Sequence, residues 1–483
     1  MTNVLFVTSQ NIEPLYPKGK KFTLGLYSVY KDFNQINSNH WNNATIYRYY
    51  THPDFDSIIS FTKIHGWKRH DNTIIPKIYY DSCLYYNLSC PGKLNHGIDS
   101  IYVNDKDYHL LEKLEYDISK SIYILRNIHM KNPEDVFDSI SANTLIIKRR
   151  ILDSMQTIKD INQNNKMKNL SYWALPEELR FYREEEREIL TKFTSLIKRI
   201  DTIDRKPIFM YIPGHLPKER IKKYTKYLDI LSASCYPEYQ YQHFNHDSIN
   251  RGVPHSYVRW SIERTKEAIT DSSKFVLGDK YQNNEKTIFA VLEMFKRDEN
   301  HIITKEGIWH DFWLSIACDV KGILVNSHHY GGDFAFRKHH TQYHHLQEPW
   351  TTLNKAVNIF IQNDIDKVII EGTNIEFISP RIIEGSEKTK LFYFQPMKNM
   401  EAVPIQYNSI KLLVKSWKDY TYIIAVNSNE QDTVHYQIPI GLTNQVENLL
   451  NEKIEITNMI EDNLKPLGVS IYRYKNLSLP KYD

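Results

Sequence analysis

Short runs of apolar, β-branched and aromatic residues recur along the first three quarters of the chain. Each is separated from the next by a stretch whose apolar positions can lie on one side of a helix. Read by length and flanking signals, the runs are FTLGLYSV (22–29), ATIYRYY (44–50), TIIPKIYYDS (73–82), LSYWALP (170–176), PIFMYIPG (207–214), DILSASCYP (229–237), KFVLGDKY (274–281) and GILVNSHH (322–329). Between and after them, helical spacing is expected over 54–67, 105–165, 179–200, 216–227, 254–270, 284–299, 306–320 and 346–363. The 179–200 stretch carries Leu179, Tyr182, Glu186, Ile189 and Phe193 at i+3 and i+4 steps, an amphipathic face.

Strands alternating with helices in that number predict a (β/α)8 barrel. The alternative is an open, doubly wound sheet. Its nucleotide-binding form wants a Gly-rich loop after the first strand, and the sequence there is YKDFNQINS. From about 366 the pattern changes. KVIIEGTN, IEFISPRII, KLFYFQPM, SIKLLVKSW, TYIIAVNSN, TVHYQIPI and VSIYRYKNL are short and turn-bounded, with a helical stretch only at 442–451. This predicts an all-β sandwich with the last run as an edge or closing strand. The expected division is a barrel over 1–365, with a leading segment 1–20 and an insertion at about 83–165, then a sandwich over 366–483.

Composition narrows the function classes. Hydrophobic residues make up 41% and charged residues 25%, as in ordinary globular chains. No apolar run reaches the ~18 residues of a membrane span. The start has no basic segment leading into a long apolar stretch, so no secretion signal is expected, and the reading is cytoplasmic. A net charge of +3 makes no electrostatic case for nucleic acid. The cysteines, Cys83, Cys90, Cys235 and Cys318, match no zinc spacing and read as free thiols. Tyr occurs 34 times and Trp 8 times against 16 Gly. Flat rings in surplus suit core and interface packing, and they also suit a carbohydrate cleft.

In a barrel the chemistry sits at the C-terminal ends of the strands. Those ends offer Arg48, Tyr49, Tyr50 and His52; Asp81; Trp173, Glu177 and Glu178; Tyr211 and His215; Tyr236 and Glu238; Asp279, Tyr281 and Gln282; and Asn326, His328, His329 and Tyr330. The fourth end is the most pointed. In NLSYWALPEELRFYREEEREIL (169–190) an apolar run stops at Pro176 and two carboxylates open a charged helix. Such carboxylates can simply face the positive end of a helix dipole, or they can mark a site. The paired histidines at 328–329, 339–340 and 344–345 match no His-Glu-x-x-His or zinc-finger spacing. A His-based metallohydrolase is therefore the third alternative.

YWALPEEL followed by a charged helix and IDTIDRKPIFMYIPGH resembles the glycoside hydrolase superfamily of (β/α)8 barrels. Many members end strand four in Trp, then Asn-Glu-Pro or Asp-Glu-Pro, and an Asp-x-x-Arg-Pro-like segment leads into strand five. The resemblance implies Glu178 as general acid/base, with Glu177 at the Asn or Asp place and Leu179 departing from the Pro. Asp204, Arg205 and Pro207 match the second segment. Retaining members carry a further Glu at the end of strand seven. The run read here as strand seven ends in Asp279, so the second carboxylate stays open among Asp279, Glu238 and Asp81. Glycoside hydrolysis needs two carboxylates, about 5–5.5 Å apart for retention and 6.5–9.5 Å for inversion. An Asp, shorter by a methylene, leans toward inversion. The implied activity is cleavage of an O-glycosidic bond of a carbohydrate, without cofactor or metal. Trp173, Tyr50, Tyr211, Tyr236 and Tyr330 would build the sugar-stacking walls, with Asp81, His215, Tyr281, Asn326 and His328 as further substrate contacts. A barrel lacking the second carboxylate would be a glycan-binding or scaffold protein.

Overall fold

In the computed structural model of the chain, the described residues are 16–29, 44–47, 73–75, 172–174, 194, 207–214, 216–225, 227–239, 253–271, 286–295, 302–326, 346–395 and 401–476. Eight parallel strands form one sheet: β1 Thr23–Val29, β2 Ala44–Tyr47, β3 Thr73–Ile75, β4 Trp173–Ala174, β5 Ile208–Ile212, β6 Ile230–Cys235, β7 Thr287–Glu293 and β8 Gly322–Asn326. Their order is β3-β2-β1-β8-β7-β6-β5-β4, so the first strand pairs with the last. Helices follow the later strands: α1 Lys218–Lys222, α2 Ser256–Asp271, α3 Lys305–Ala317, and α4 Gln347–Gln362 leading into α5 Ile365–Glu371.

The strands at the heart of this sheet are buried on both faces, which is why their sequences read as unbroken apolar runs. Successive side chains point to opposite faces. On one side Ile208, Met210, Leu231, Ala233, Ile288, Ala290, Leu292, Ile323 and Val325 join the helices in the main core. On the other, Phe209, Tyr211, Ile230, Tyr236, Phe289, Val291, Phe295 and Leu324 pack on one another and on Tyr172. Tyr172 shows how far the sheet rolls. It stands just before β4, five strands from β1, and strands are ~4.8 Å apart. Its hydroxyl nevertheless lies 2.7 Å from Thr23 Oγ1 on β1 and donates to the carbonyl of Tyr16 at 2.7 Å.

The remainder is antiparallel: β9 Thr373–Asn374, β10 Arg381–Glu384, β11 Phe392–Phe394, β12 Val403–Ile405, β13 Ile410–Trp417, β14 Tyr420–Asn427, β15 Val434–Asn448, β16 Lys453–Leu464 and β17 Val469–Lys475. All but β11 and β12 form one sheet, in the order β10-β15-β17-β14-β13-β9 with β16 on β15; β11 and β12 form a separate ribbon.

Four expectations change. The segment 284–299 was expected to be a helix, but it contains β7; the expected strand at 274–281 lies outside the described residues. The expected helix at 442–451 is largely the second half of β15, which bulges between Pro439 and Asn444. The run at 367–374 is mostly α5, with only Thr373 and Asn374 in a strand. The last strand is interior to its sheet, pairing with both β14 and β15, rather than at an edge.

Candidate active site

The reassignment of β7 brings a new carboxylate to the end of a strand. Thr287–Glu293 is buried throughout, and Glu293 is 4% exposed. It shares the parity of Phe289, Val291 and Phe295, so the two-residue period turns it toward the aromatic face of the sheet. Its neighbours in register are Asn326 on β8 and, one step before, the Leu292–Cys235 pair joining β7 to β6. The strand end is tied by the N–H of Met294, which donates to the carbonyl of Asn326 at 3.0 Å.

The chain leaving β6 wraps around this carboxylate. The backbone N–H groups of Glu238 and Tyr239 both donate to Glu293 Oε2, at 3.1 and 3.4 Å. Paired backbone donors suit an ionised carboxylate, since charge-assisted bonds are the stronger kind. Beside it, Asn326 Nδ2 donates to Tyr236 Oη at 2.8 Å, and Tyr211 Oη donates to Ser234 Oγ at 2.7 Å. The Tyr211 and Tyr236 rings lie 6.0 Å apart, and Phe295 and Tyr239 meet Tyr236 edge-on at 5.3 and 6.2 Å. Tyr211, Tyr236 and Asn326 are thus brought together with Glu293 at the ends of four adjacent strands.

Glu238 contributes differently from the role first considered for it. Its backbone serves Glu293, while its carboxylate turns to His255, with Oε1 3.9 Å from Nε2. His255 precedes α2 and belongs to a second polar cluster. Its Nδ1 is 2.8 Å from Asp311 Oδ1, and His310 Nδ1 is 2.9 Å from the same oxygen. Among the described residues, His255, His310 and Asp311 are the group close enough to hold a metal. Ligands at 2.0–2.1 Å on a tetrahedral zinc stand roughly 3.3 Å apart, so contacts of 2.8 and 2.9 Å are those of hydrogen bonds. Burial opposes the charge on His255, but Asp311, Glu430 and Glu238 outweigh it and lift its pKa to about 10. Burial holds the pKa of His310 below the usual imidazole value despite its bond to Asp311. Burial also disfavours the Asp311 anion, yet His255 and His310 keep its carboxyl below the ordinary carboxylate range. The cluster therefore holds an imidazolium, a carboxylate and a neutral imidazole.

Trp173 is placed by register, its Cα paired with Ile208 on β5. Glu177, Glu178, Asp279, Asp81, Tyr50, His215, Tyr281, His328 and Tyr330 lie outside the described residues. Glu293 was missed because the 284–299 stretch read as a helix. The signal was present: TIFAVLEMF is an unbroken apolar run between NNEK and KRDEN that ends its strand on a carboxylate.

No family model and no curated protein matches the chain. Solved structures similar to it include glycoside hydrolases. An Anoxybacillus α-amylase is 10% identical over 69% of this chain at a TM-score of 0.39. The chain spans 64% of that amylase, a little under two thirds of its length. The maltogenic α-amylase AmyB from Thermotoga neapolitana is 8% identical over 90% of this chain and 91% of its own, at a TM-score of 0.43. An α-L-arabinofuranosidase from Thermotoga maritima, in an arabinose complex, is 10% identical over 67% of this chain and 73% of its own, at 0.38.

Proposed function

We propose that the chain is a glycosidase in which Glu293 is the second carboxylate, facing Glu178 as general acid/base across the mouth of a closed (β/α)8 barrel. The observation that carries this is Glu293 itself. A buried carboxylate ends β7 on the inner face, held by two backbone N–H groups and flanked by Tyr236 and Asn326. Closure between β3 and β4 is supported by the pairing of β1 with β8 and by the reach of Tyr172 to Thr23. A doubly wound sheet puts its first strand in the interior order rather than beside its last.

A Glu at this place replaces the earlier lean toward inversion through Asp279. Glu293 then attacks the anomeric carbon while Glu178 protonates the leaving oxygen, and water releases the sugar from the covalent intermediate with Glu178 acting as base. The substrate is a carbohydrate, and this chemistry asks for no metal and no cofactor. A panel of activated 2-deoxy-2-fluoro glycosides tests it, because they stall at the glycosyl-enzyme. The expected result is one sugar mass added to the peptide holding Glu293, and loss of that label in Glu293→Gln. Glu178→Gln should lose on the order of 10²–10⁴ in turnover on natural glycosides and far less on dinitrophenyl ones, which leave without a proton. Labelling elsewhere, or tight glycan binding with no turnover, would assign the cleft to a different nucleophile or to recognition alone.

A further inference from the structure

The turn that grips Glu293 is braced from behind, and part of the brace belongs to the antiparallel domain. Val253 N–H donates to the carbonyl of Pro237, tying the approach to α2 onto the 237–239 turn. Two residues on, the backbone N–H of His255 donates to Glu430 Oε1 at 2.5 Å. Glu430 and Ser428 lie in the connection between β14 and β15, and Ser428 Oγ is 3.1 Å from His310 Nε2. The same region is sealed by an apolar cluster in which Val253 and Tyr257 pack on Phe394 and Ile405 of the β11–β12 ribbon. The charged and titratable groups facing His255 are therefore Asp311 and His310 from α3, Glu430 from the β14–β15 connection, and Glu238 from the turn after β6.

The helix is cut to receive this ring. A Cβ at Gly307 in the first turn of α3 would stand 2.6 Å from His255 Cε1 and 3.0 Å from Nε2. Any side chain there drives the imidazole off Asp311 or away from Glu238. The stake is the charge on Glu238. Its N–H holds one carboxylate while its own carboxylate belongs to the same turn, and a cation beside it keeps the turn from opening toward water.

We propose that His255 is a positioning residue for Glu293, acting through Glu238, and that the antiparallel domain completes the active site through Glu430. Its effect on rate rests on the glycosidase reading; its effect on the turn does not. The imidazole of His255 is fixed by Asp311, which also meets His310, and His310 Nε2 in turn is 3.1 Å from Ser428 Oγ. The His255 backbone is fixed separately, by the bond its N–H donates to Glu430 Oε1. Neither brace touches a reacting atom.

Hydrogen–deuterium exchange of the full-length chain tests the turn without any substrate. In Gly307→Ala and in Glu430→Ala, the amides of Glu238 and Tyr239 should exchange about tenfold faster or more, while those of β14 keep their wild-type protection. Unchanged exchange at 238 and 239 in both variants overturns the proposal, whether or not the protein cleaves anything. The rate arm uses whichever dinitrophenyl glycoside of a panel the wild type hydrolyses, so that the general acid's own limb drops out of kcat/KM. Gly307→Ala should lower kcat/KM on the order of 10–100-fold, the scale of a misplaced catalytic group. Asp311→Asn should move the alkaline limb down toward the ordinary imidazole range of about 6.5. In an active enzyme, an unmoved limb with unchanged kcat/KM in Gly307→Ala also overturns the proposal. A wild type that cleaves no glycoside refutes the glycosidase reading instead and leaves exchange to decide the brace.

Discussion

At the scale of single residues, His255 makes the protein's stability depend on pH in a definite direction. Its folded pKa, lifted to about 10, stands above the ordinary value of about 6.5. A raised base binds its proton more tightly folded than unfolded. Its contribution is therefore complete below about pH 6.5 and is lost as pH rises through about 10. Asp311 behaves oppositely. Its carboxyl is held down by His255 and His310 against the effect of burial, so its contribution is present above the ordinary carboxylate value and fades as pH falls. The stability difference between wild type and His255→Gln should thus be largest near neutral pH and shrink steadily toward pH ~10. Chemical denaturation at a series of pH values measures it. A difference that stays constant across that range would show that His255 is not charged in the folded protein.

At the scale of elements, β7 carries both a prediction and the lesson about what the sequence discloses. Strands β5, β6 and β8 were legible because each run is short and stops at a turn signal: Pro213-Gly214, Pro237, and Ser327. Tyr211, Tyr236 and Asn326 were legible with them, at or beside the last residues of those strands. The region of β7 offers no such stop. TIFAVLE is apolar at nearly every position and flows into charged residues on both sides, so its length with flanks suggests a helix. Periodicity cannot separate a strand buried on two faces from a buried helix. That ambiguity, not a weak motif, hid Glu293. The His255–Asp311 cluster was hidden for another reason: its members come from the turn before α2, from α3 and from a loop of the antiparallel domain, and only His310 and Asp311 are neighbours in sequence. A two-faced strand makes its own test. Phe289 packs inward against Tyr172 and Phe209, while Leu292 packs outward into the main core. Phe289→Ala should cost about 3–5 kcal/mol and Leu292→Ala about 2–5 kcal/mol. In a helix Phe289 and Leu292 would share one face while Phe289 and Val291 would not, whereas in the strand Phe289 and Val291 both face inward, so a nearly neutral Val291→Ala beside a costly Phe289→Ala would contradict the strand.

At the scale of the molecule, the two β systems share one core. Trp417 of β13, Tyr422, Ile424 and Val426 of β14, and Val469 and Ile471 of β17 belong to the same buried cluster as Phe312, Trp313 and Ile316 of α3. α3 packs against both β13 and β14. Between them Lys415, 3% exposed, pairs with Asp319 at 3.1 Å and donates to the carbonyl of Gly372 at 3.3 Å. Burial pulls the Lys415 pKa down to about 8 in spite of Asp319. Parting the two units would expose this apolar surface at ~25 cal/mol per Å² and would strand a lysine and an aspartate that were paired. Domains joined by polar linkers move and melt separately, and this junction has the opposite character. Scanning calorimetry of the full chain should therefore show one transition, with calorimetric and van't Hoff enthalpies in agreement. Phe312→Ala, at the shared face, should lower that single midpoint and leave it single. Two resolved transitions would mean that the α3–β14 face is too weak to couple the units. The brace that runs from Glu430 to the turn at Glu238 would then rest on a joint that opens before either domain does.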